Sequence, residues 1–309
     1  MIDISVVISL LNEEESLPEL CTWIVKVCNE NKFSYEIIMI DDGSTDNSWS
    51  VIESLSAENK NIKGIKFIKN YGKSAAIYEG FAAAEGEVVI TMDADLQDDP
   101  AEIPNLIKKM NEGYDLISGW KKVRHDPISK TLPSKLFNFV TSKLTGIKIH
   151  DFNCGLKAYR REVIEDIDVY GEMHRYLPVL AKWEGYKISE IPVKHHPRKF
   201  GITKFGLNRF FHGFFDLFTV LFLTRYKKTP LYIFGMLGFT MSFLGFLVEG
   251  YLTILKLMGQ GGISQRPLFF FGILLLIVGI QLFSLGLLAE MISAHFTKQQ
   301  EYSIKEKIE

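Results

Sequence analysis

The run EVVITMDADLQDDP at Glu87–Pro100 ends an apolar stretch in a cluster of carboxylates headed by Asp93 and Asp95. The apolar part is short and β-rich, so it predicts a buried strand. The carboxylates then fall at its C-terminal end, where open α/β sheets bind ligands. Only the small Ala94 separates Asp93 from Asp95. Both can turn toward a hard divalent cation, which takes oxygen ligands and often bridges to substrate phosphates. Gln97 offers a third oxygen. The competing reading is an Asp-rich surface turn ahead of a helix that Pro100 starts.

Four β-rich runs, Ile4–Ser9, Tyr35–Ile40, Ile65–Lys69 and Glu87–Met92, alternate with helical patterns at Ser16–Asn29, Asp46–Glu58 and Lys73–Ala84. Such alternation predicts an α/β fold with a mainly parallel, doubly wound, Rossmann-like sheet. Polar segments follow every strand: Asn12-Glu13-Glu14, Asp41-Asp42-Gly43-Ser44, Asn70-Tyr71-Gly72-Lys73 and the Asp93 cluster. The four loops are expected along one sheet edge. Asp46 or Ser44 can cap a helix, but capping does not require both Asp41 and Asp42 ahead of it.

Several other chemistries are excluded. Gly72-Lys73-Ser74 resembles the end of a P-loop, but Phe67 stands where the motif needs its first glycine. No GxGxxG follows the first strand, so a dinucleotide site has no support. With 35 Lys and Arg against 37 Asp and Glu, no basic surface invites a nucleic acid. Cys21, Cys28 and Cys154 have neither metal-site spacing nor an even number, which suggests buried thiols in a reducing compartment. The first residues lack a basic region followed by an apolar signal core, so the first two-thirds are expected in the cytosol.

After Pro230 the composition changes. Leu231–Leu257 and Leu268–Ile292 each reach the ~20 apolar residues of a spanning helix, and a short glycine-rich turn joins them. Arg225, Lys227 and Lys228 precede the pair and Lys298, Lys305 and Lys307 follow it, while Arg266 stands in the turn. The positive-inside rule then places both ends in the cytoplasm. Gly238 and Gly245, and Gly272, Gly279 and Gly286, recur every seven residues on one side of each helix. They suit close helix contact, and a homo-oligomer could be built on those faces. Glu249 and Glu290 should lie near an interface or face protein, with Glu290 snorkelling toward headgroups. Phe205–Leu223, rich in Phe and Leu but carrying Asn208, Arg209, His212 and Asp216, reads as helix lying in the membrane surface or as a buried core helix.

Together VVISLLNEEESL, IIMIDDGSTDNS, NYGKSAAIYEGFAAAEGEVVITMDADLQDDP, DFNCGLKAYRREV and HHPRKFGITKFG make the chain similar to family 2 glycosyltransferases of the GT-A fold. Among them it most resembles the polyprenyl-phosphate glycosyltransferases, the group of dolichyl-phosphate mannose synthase and bactoprenol glucosyltransferase. The resemblance covers nearly the whole chain. It implies a GT-A catalytic domain at 1–204, interfacial helices at 205–228, a two-helix transmembrane hairpin at 229–297 and a cytoplasmic tail at 298–309.

It also implies a site. Asp42 would hydrogen-bond the base of a UDP- or GDP-sugar, with Leu11, Asn12 and Glu13 beside it and Gly72, Lys73, Asp93 and Ala94 completing the nucleotide-sugar site. Asp93, Asp95 and Gln97 would hold Mg²⁺ or Mn²⁺. Lys121, Lys130, Ser134, Arg198 and Lys204 would hold the phosphate of a membrane lipid such as undecaprenyl phosphate. Asp95 and Asp151 would be the catalytic carboxylates, Asp151 orienting the sugar or acting as a base. A phosphate monoester with a second pKa near ~6 is already largely ionised at neutral pH, so orientation is the better reading. A single displacement would invert the anomeric centre. A processive polysaccharide synthase would carry QxxRW and more spans, both absent, and a non-catalytic scaffold would have no use for Asp42, Asp93, Asp95 and Gln97 together.

Overall fold

The computed structural model describes residues 2–122, 128–167, 169, 171, 173–197, 199–200, 229–259, 262–263 and 266–296. The chain divides into two units, Met1–Val220 and Leu221–Glu309.

The first unit is built on seven strands: β1 (Ile4–Leu10), β2 (Tyr35–Asp41), β3 (Ile62–Lys66), β4 (Val88–Asp93), β5 (Leu116–Trp120), β6 (Lys157–Arg160) and β7 (Ile188–Pro192). They lie in the order β3-β2-β1-β4-β6-β5-β7. The pairs β1/β2, β1/β4, β2/β3 and β5/β7 are parallel, whereas β6 runs antiparallel to both β4 and β5. The sheet is therefore mixed but mainly parallel.

Alternate residues on each strand enter two cores. Val6, Ile8, Ile37, Met39 and Ile90 face helices α1 (Leu17–Glu30), α2 (Ser48–Glu58) and α4 (Ile103–Met110). Val7, Ile38, Ile40 and Val89 face α3 (Lys73–Ala83), α6 (Arg161–Asp166) and α7 (Leu177–Trp183). Burial on both faces is what makes these strands read as continuous apolar runs. Cys21 and Cys28 lie on the buried face of α1. Helix α5 (Ile128–Thr145) follows β5.

One strand differs from expectation. The apolar run at Ile65–Lys69 suggested β3 there, yet pairing with β2 runs from Ile37↔Ile62 to Asp41↔Lys66, because β2 ends at Asp41. Phe67 onward has no partner strand to follow, and Ile68 is 98% exposed. The register elsewhere positions the site: Leu10 pairs with Asp41 and Ser9 with Asp93, so the last residues of β2 and β4 flank the end of β1.

The second unit contains helices α8 (Leu231–Leu257) and α9 (Pro267–Phe296), both long and apolar enough to cross a membrane. Their outer faces carry exposed Phe239, Phe243, Phe246, Leu274 and Leu288, an apolar exterior that lipid would cover. The repeated glycines form the seam between the helices. A Cβ on Gly238 would stand 2.5 Å from the Gly279 carbonyl oxygen, and one on Gly245 would stand 2.8 Å from that of Gly272. The glycine faces thus pack against each other within the hairpin.

Glu290 lies beside the first residue of α8. Its Oε2 accepts a hydrogen bond from the Leu231 amide at 3.1 Å, capping one of the N–H groups that the start of α8 leaves unsatisfied. Glu249 faces protein: Oε1 is buried, makes no hydrogen bond, and lies where a Cβ on Gly272 would be, 2.2 Å away.

Candidate active site

Loops after β1 and β2 are stitched together by their polar residues. Ser44 Oγ accepts from the Asn12 amide at 2.9 Å, and Asn12 Oδ1 accepts from the Thr45 amide at 2.8 Å. Ser48 Oγ accepts from the Glu13 amide at 2.9 Å, and Glu14 Oε2 from that of Asn47 at 2.8 Å. Asp46 takes the Ser48 amide at the start of α2. Asn12 pays for its place with φ of 53°, a backbone state that Asn tolerates better than most residues. Leu11 is half-buried beside it.

Asp42 ties this pair of loops to the next. Its carboxylate accepts from the Tyr71 amide at 2.7 Å and from the Gly72 amide at 3.0 Å. Burial raises its pKa, and Asp41 adds to the rise; the two amides only partly offset it. Gly43, at φ +77°, lies so close to the next loop that a Cβ would stand 2.5 Å from the Lys69 carbonyl carbon. Gly72, at φ +94°, then turns the chain into α3 and delivers Lys73 as its first residue.

Lys73 Nζ contacts Asp93 Oδ1. Burial would push the Asp93 carboxyl upward, but attraction to Lys73, Lys121 and Lys157 wins and holds it well below the ordinary carboxylate range. The Lys121 ammonium lies 2.8 Å from Asp98 Oδ1, a charge contact outside hydrogen-bond alignment. Although burial opposes it, Asp98, Cys154 and Asp93 raise the Lys121 pKa. Lys157, 3% exposed, donates to the Cys154 carbonyl, and burial lowers its pKa.

Two residues that sequence reasoning missed complete this surrounding: Lys157 and Gly155. A Cβ on Gly155 would stand 2.4 Å from Asp93 Oδ2, so the carboxylate rests against bare backbone. Thr91 Oγ1 fixes that backbone by donating to the Gly155 carbonyl at 2.8 Å. DFNCGLK contains both residues, but only the pairing Thr91↔Lys157 brings them to β4.

Asp95 is 9% exposed, and its Oδ1 accepts from the Gln97 amide at 3.2 Å. Between them Leu96 is buried at φ 59°. A bulky residue held there stores strain, and such strain gathers at functional loops. Gln97 Nε2 reaches the His196 carbonyl at 3.4 Å, the Gln97 carbonyl accepts from the His196 amide at 2.9 Å, and Asp98 bridges to His195.

These groups fit a hard divalent ion. The donors are carboxylate and amide oxygens, and the Asp93 carboxylate already attracts a cation, the Lys73 ammonium. Among the described residues no three His, Cys, Asp or Glu side chains form a closed cage, so ligands from substrate and water would complete the shell, the usual habit of Mg²⁺ sites.

Asp151, expected near the acceptor, is 1% exposed; its Oδ1 accepts from the Asn153 amide at 3.1 Å and its carbonyl from Ser118 Oγ at 3.3 Å. Ser134 lies half-buried on α5, whose backbone also carries Lys130. The Lys130 side chain, Arg198 and Lys204 lie outside the described residues.

Comparison with known proteins identifies the fold and the family. The solved structure of glucosyl-3-phosphoglycerate synthase from Mycobacterium tuberculosis in complex with Mn²⁺, UDP and phosphoglyceric acid is 18% identical, with 71% of this chain and 77% of that chain covered and a TM-score of 0.54. The same enzyme with Mn²⁺, UDP-glucose and glycerol 3-phosphate matches at 18% identity, 71% and 79% coverage and a TM-score of 0.52. At this identity they establish a shared fold. Dodecaprenyl-phosphate galacturonate synthase from Rhizobium johnstonii is 34% identical over 297 residues, covering 94% of this chain and 88% of that protein. The family model described as Glycosyl transferase family 2 matches residues 5–168, from β1 through the Asp93 loop to α6. A carboxylate-lined edge on this fold, matched over these spans, makes the chain a glycosyltransferase belonging to glycosyl transferase family 2.

Proposed function

We propose that the protein moves a sugar from a nucleoside diphosphate sugar to the phosphate of a polyprenyl lipid, with inversion at the anomeric carbon. The observation that carries the reading is the setting of Asp93: a carboxylate at the end of β4, laid against Gly155, in contact with Lys73 and under the attraction of Lys121 and Lys157. A divalent cation bound by Asp93, Asp95 and Gln97 supplies positive charge against the departing nucleoside diphosphate.

The chain's own residues do the positioning. Asp42 hydrogen-bonds the base and also holds the Tyr71–Gly72 turn, which sets Lys73 beside the expected diphosphate. The stitched loops at Leu11–Glu13 and Ser44–Ser48 form the nucleoside side, and Ala94 keeps the backbone between the two carboxylates small. Asp151 orients the sugar and the acceptor. The lipid phosphate is taken by Lys121, Lys130, Ser134, Arg198 and Lys204, with Lys121 also held against Asp98. An acceptor that is already ionised needs orientation more than deprotonation.

The acceptor class is supported by the Rhizobium relative and by α8 and α9, which suit an enzyme whose substrate stays in the bilayer. In this reading 1–204 is the catalytic domain, 229–297 anchors the protein and both termini are cytoplasmic; the interfacial helices expected at 205–228 fall outside the described residues.

Transfer of radiolabel from UDP- and GDP-sugars to undecaprenyl phosphate tests the reading. Organic-soluble label that disappears in Asp95→Ala supports it; insoluble polymer identifies a processive synthase instead, and absence of incorporation from every donor contradicts a transferase role. A glycosyl group trapped covalently on the protein would refute the single displacement.

A further inference from the structure

Three lysines act on Asp93, but they are held differently. Lys157 is buried and bonded to the Cys154 carbonyl, and Lys121 is 12% exposed against a fully buried Asp98. Neither can leave without stranding a buried group. The Lys73–Asp93 pair has side chains 32% and 29% exposed, open to solvent and to an entering ion. This pair, unlike the other two, can be exchanged for another cation without leaving a buried partner stranded.

Lys73 is also oddly placed for a structural cation. It is the first residue of α3, where the positive end of the helix dipole disfavours an ammonium and favours an anion. A Cβ on the preceding Gly72 would meet nothing within 4 Å, so there is open space beside it. The turn that presents Lys73 is fixed by two amide bonds to Asp42, which leaves the side chain as the part free to move.

We infer that Lys73 is an exchangeable counter-ion: it holds Asp93 while donor is absent, then yields that carboxylate to a divalent cation and turns its ammonium to the donor's diphosphate. The inference rests on the proposed donor and metal site and adds a consequence to it. Metal alone must displace Lys73, whereas metal with a nucleoside diphosphate gives Lys73 a new partner. The two ligands therefore bind synergistically.

Mn²⁺ binding to the full chain in detergent micelles, followed by loss of the free-ion EPR signal, tests this with Mn²⁺ alone and with UDP or GDP, after subtracting binding by the nucleotide itself. In the wild type a nucleoside diphosphate should tighten Mn²⁺ by about tenfold. Lys73→Gln should bind Mn²⁺ alone about three- to fivefold more tightly than wild type, with a smaller nucleotide effect, and Lys73→Arg should keep the wild-type pattern. Equal or weaker Mn²⁺ binding by a folded Lys73→Gln, or an undiminished nucleotide effect, overturns the exchange. If that variant is destabilised, the wild type decides, because absence of synergy there overturns it as well. Mn²⁺ binding that is indifferent to Asp93→Asn would instead remove the metal site itself, and the exchange with it.

Discussion

Among the described residues two carboxylates rest against glycines, one in each unit, and their surroundings are opposite. Asp93 lies against Gly155 among Lys73, Lys121 and Lys157, in a polar edge that favours its charged form. Glu249 lies against Gly272 in an apolar hairpin, with Oε1 buried and without a hydrogen bond. The local device is the same: a missing Cβ lets an acid approach backbone. What differs is the compensation. The first carboxylate is held by charge and is available for chemistry, whereas the second is accommodated by close helix packing.

This contrast is broken most severely by giving Gly155 a side chain. In Gly155→Ala the new Cβ pushes only the flexible end of Asp93, so folding should survive. Turnover should fall by about 100-fold, the typical cost of misplacing a reacting group by an ångström. Steady-state kinetics beside thermal unfolding checks both halves. The matched Gly272→Ala also displaces a side-chain end and should leave kcat unchanged.

In the hairpin, the costly positions are those where backbone meets backbone. Gly238→Leu or Gly279→Leu must part α8 from α9, and each should destabilise the hairpin by about 1–3 kcal/mol, seen as a lower unfolding midpoint in detergent. Retained stability would mean that the glycine seam is not what holds the helices together.

A smaller effect is expected at the opposite edge of the sheet. Buried Glu36 accepts from Ser5 Oγ at 2.5 Å and from the Glu85 amide at 2.7 Å, and pairs with Lys63 at 2.7 Å. Burial would raise its pKa, but Lys63, Ser5 and the Glu85 amide together lower it. A depressed folded pKa means that the stabilisation is complete above the unfolded value of about 4.3 and is lost as pH falls through the folded one. Glu36→Gln should therefore cost roughly 1–3 kcal/mol at pH 7 and progressively less toward pH 3 in chemical denaturation. A gap that widens on acidification would reverse the assignment. Glu249→Gln should leave the hairpin at least as stable as wild type, because it removes a buried carboxylate oxygen without a hydrogen bond and loses no bond; a lower unfolding midpoint would contradict this.

Strands β1, β2 and β4 and helices α1 and α3 were legible from local pattern, since each is a complete apolar run or amphipathic turn bounded by polar loops. The Asp93–Asp95 pair was legible because it interrupts such a run. β3 slipped by three residues because an edge strand is defined by its partner's length, which its own apolar residues do not record. β6, four residues long and antiparallel, has too little periodicity to be read alone. The roles of Gly155 and Lys157 depend on the β4/β6 register, a contact across 64 or more residues. Glu290 could be seen as costly in lipid, but its bond to the Leu231 amide required the hairpin to be folded.

The most direct test of the account is metal dependence of the reaction itself. Membranes carrying the full chain are stripped of divalent ions, and formation of polyprenyl-phosphate sugar is followed as Mg²⁺ or Mn²⁺ is restored. The account predicts that activity is lost on chelation, returns with the metal in wild type, and fails to return in Asp93→Asn and Asp95→Asn. Undiminished transfer in the chelated wild type, or full restoration in those variants, would contradict it.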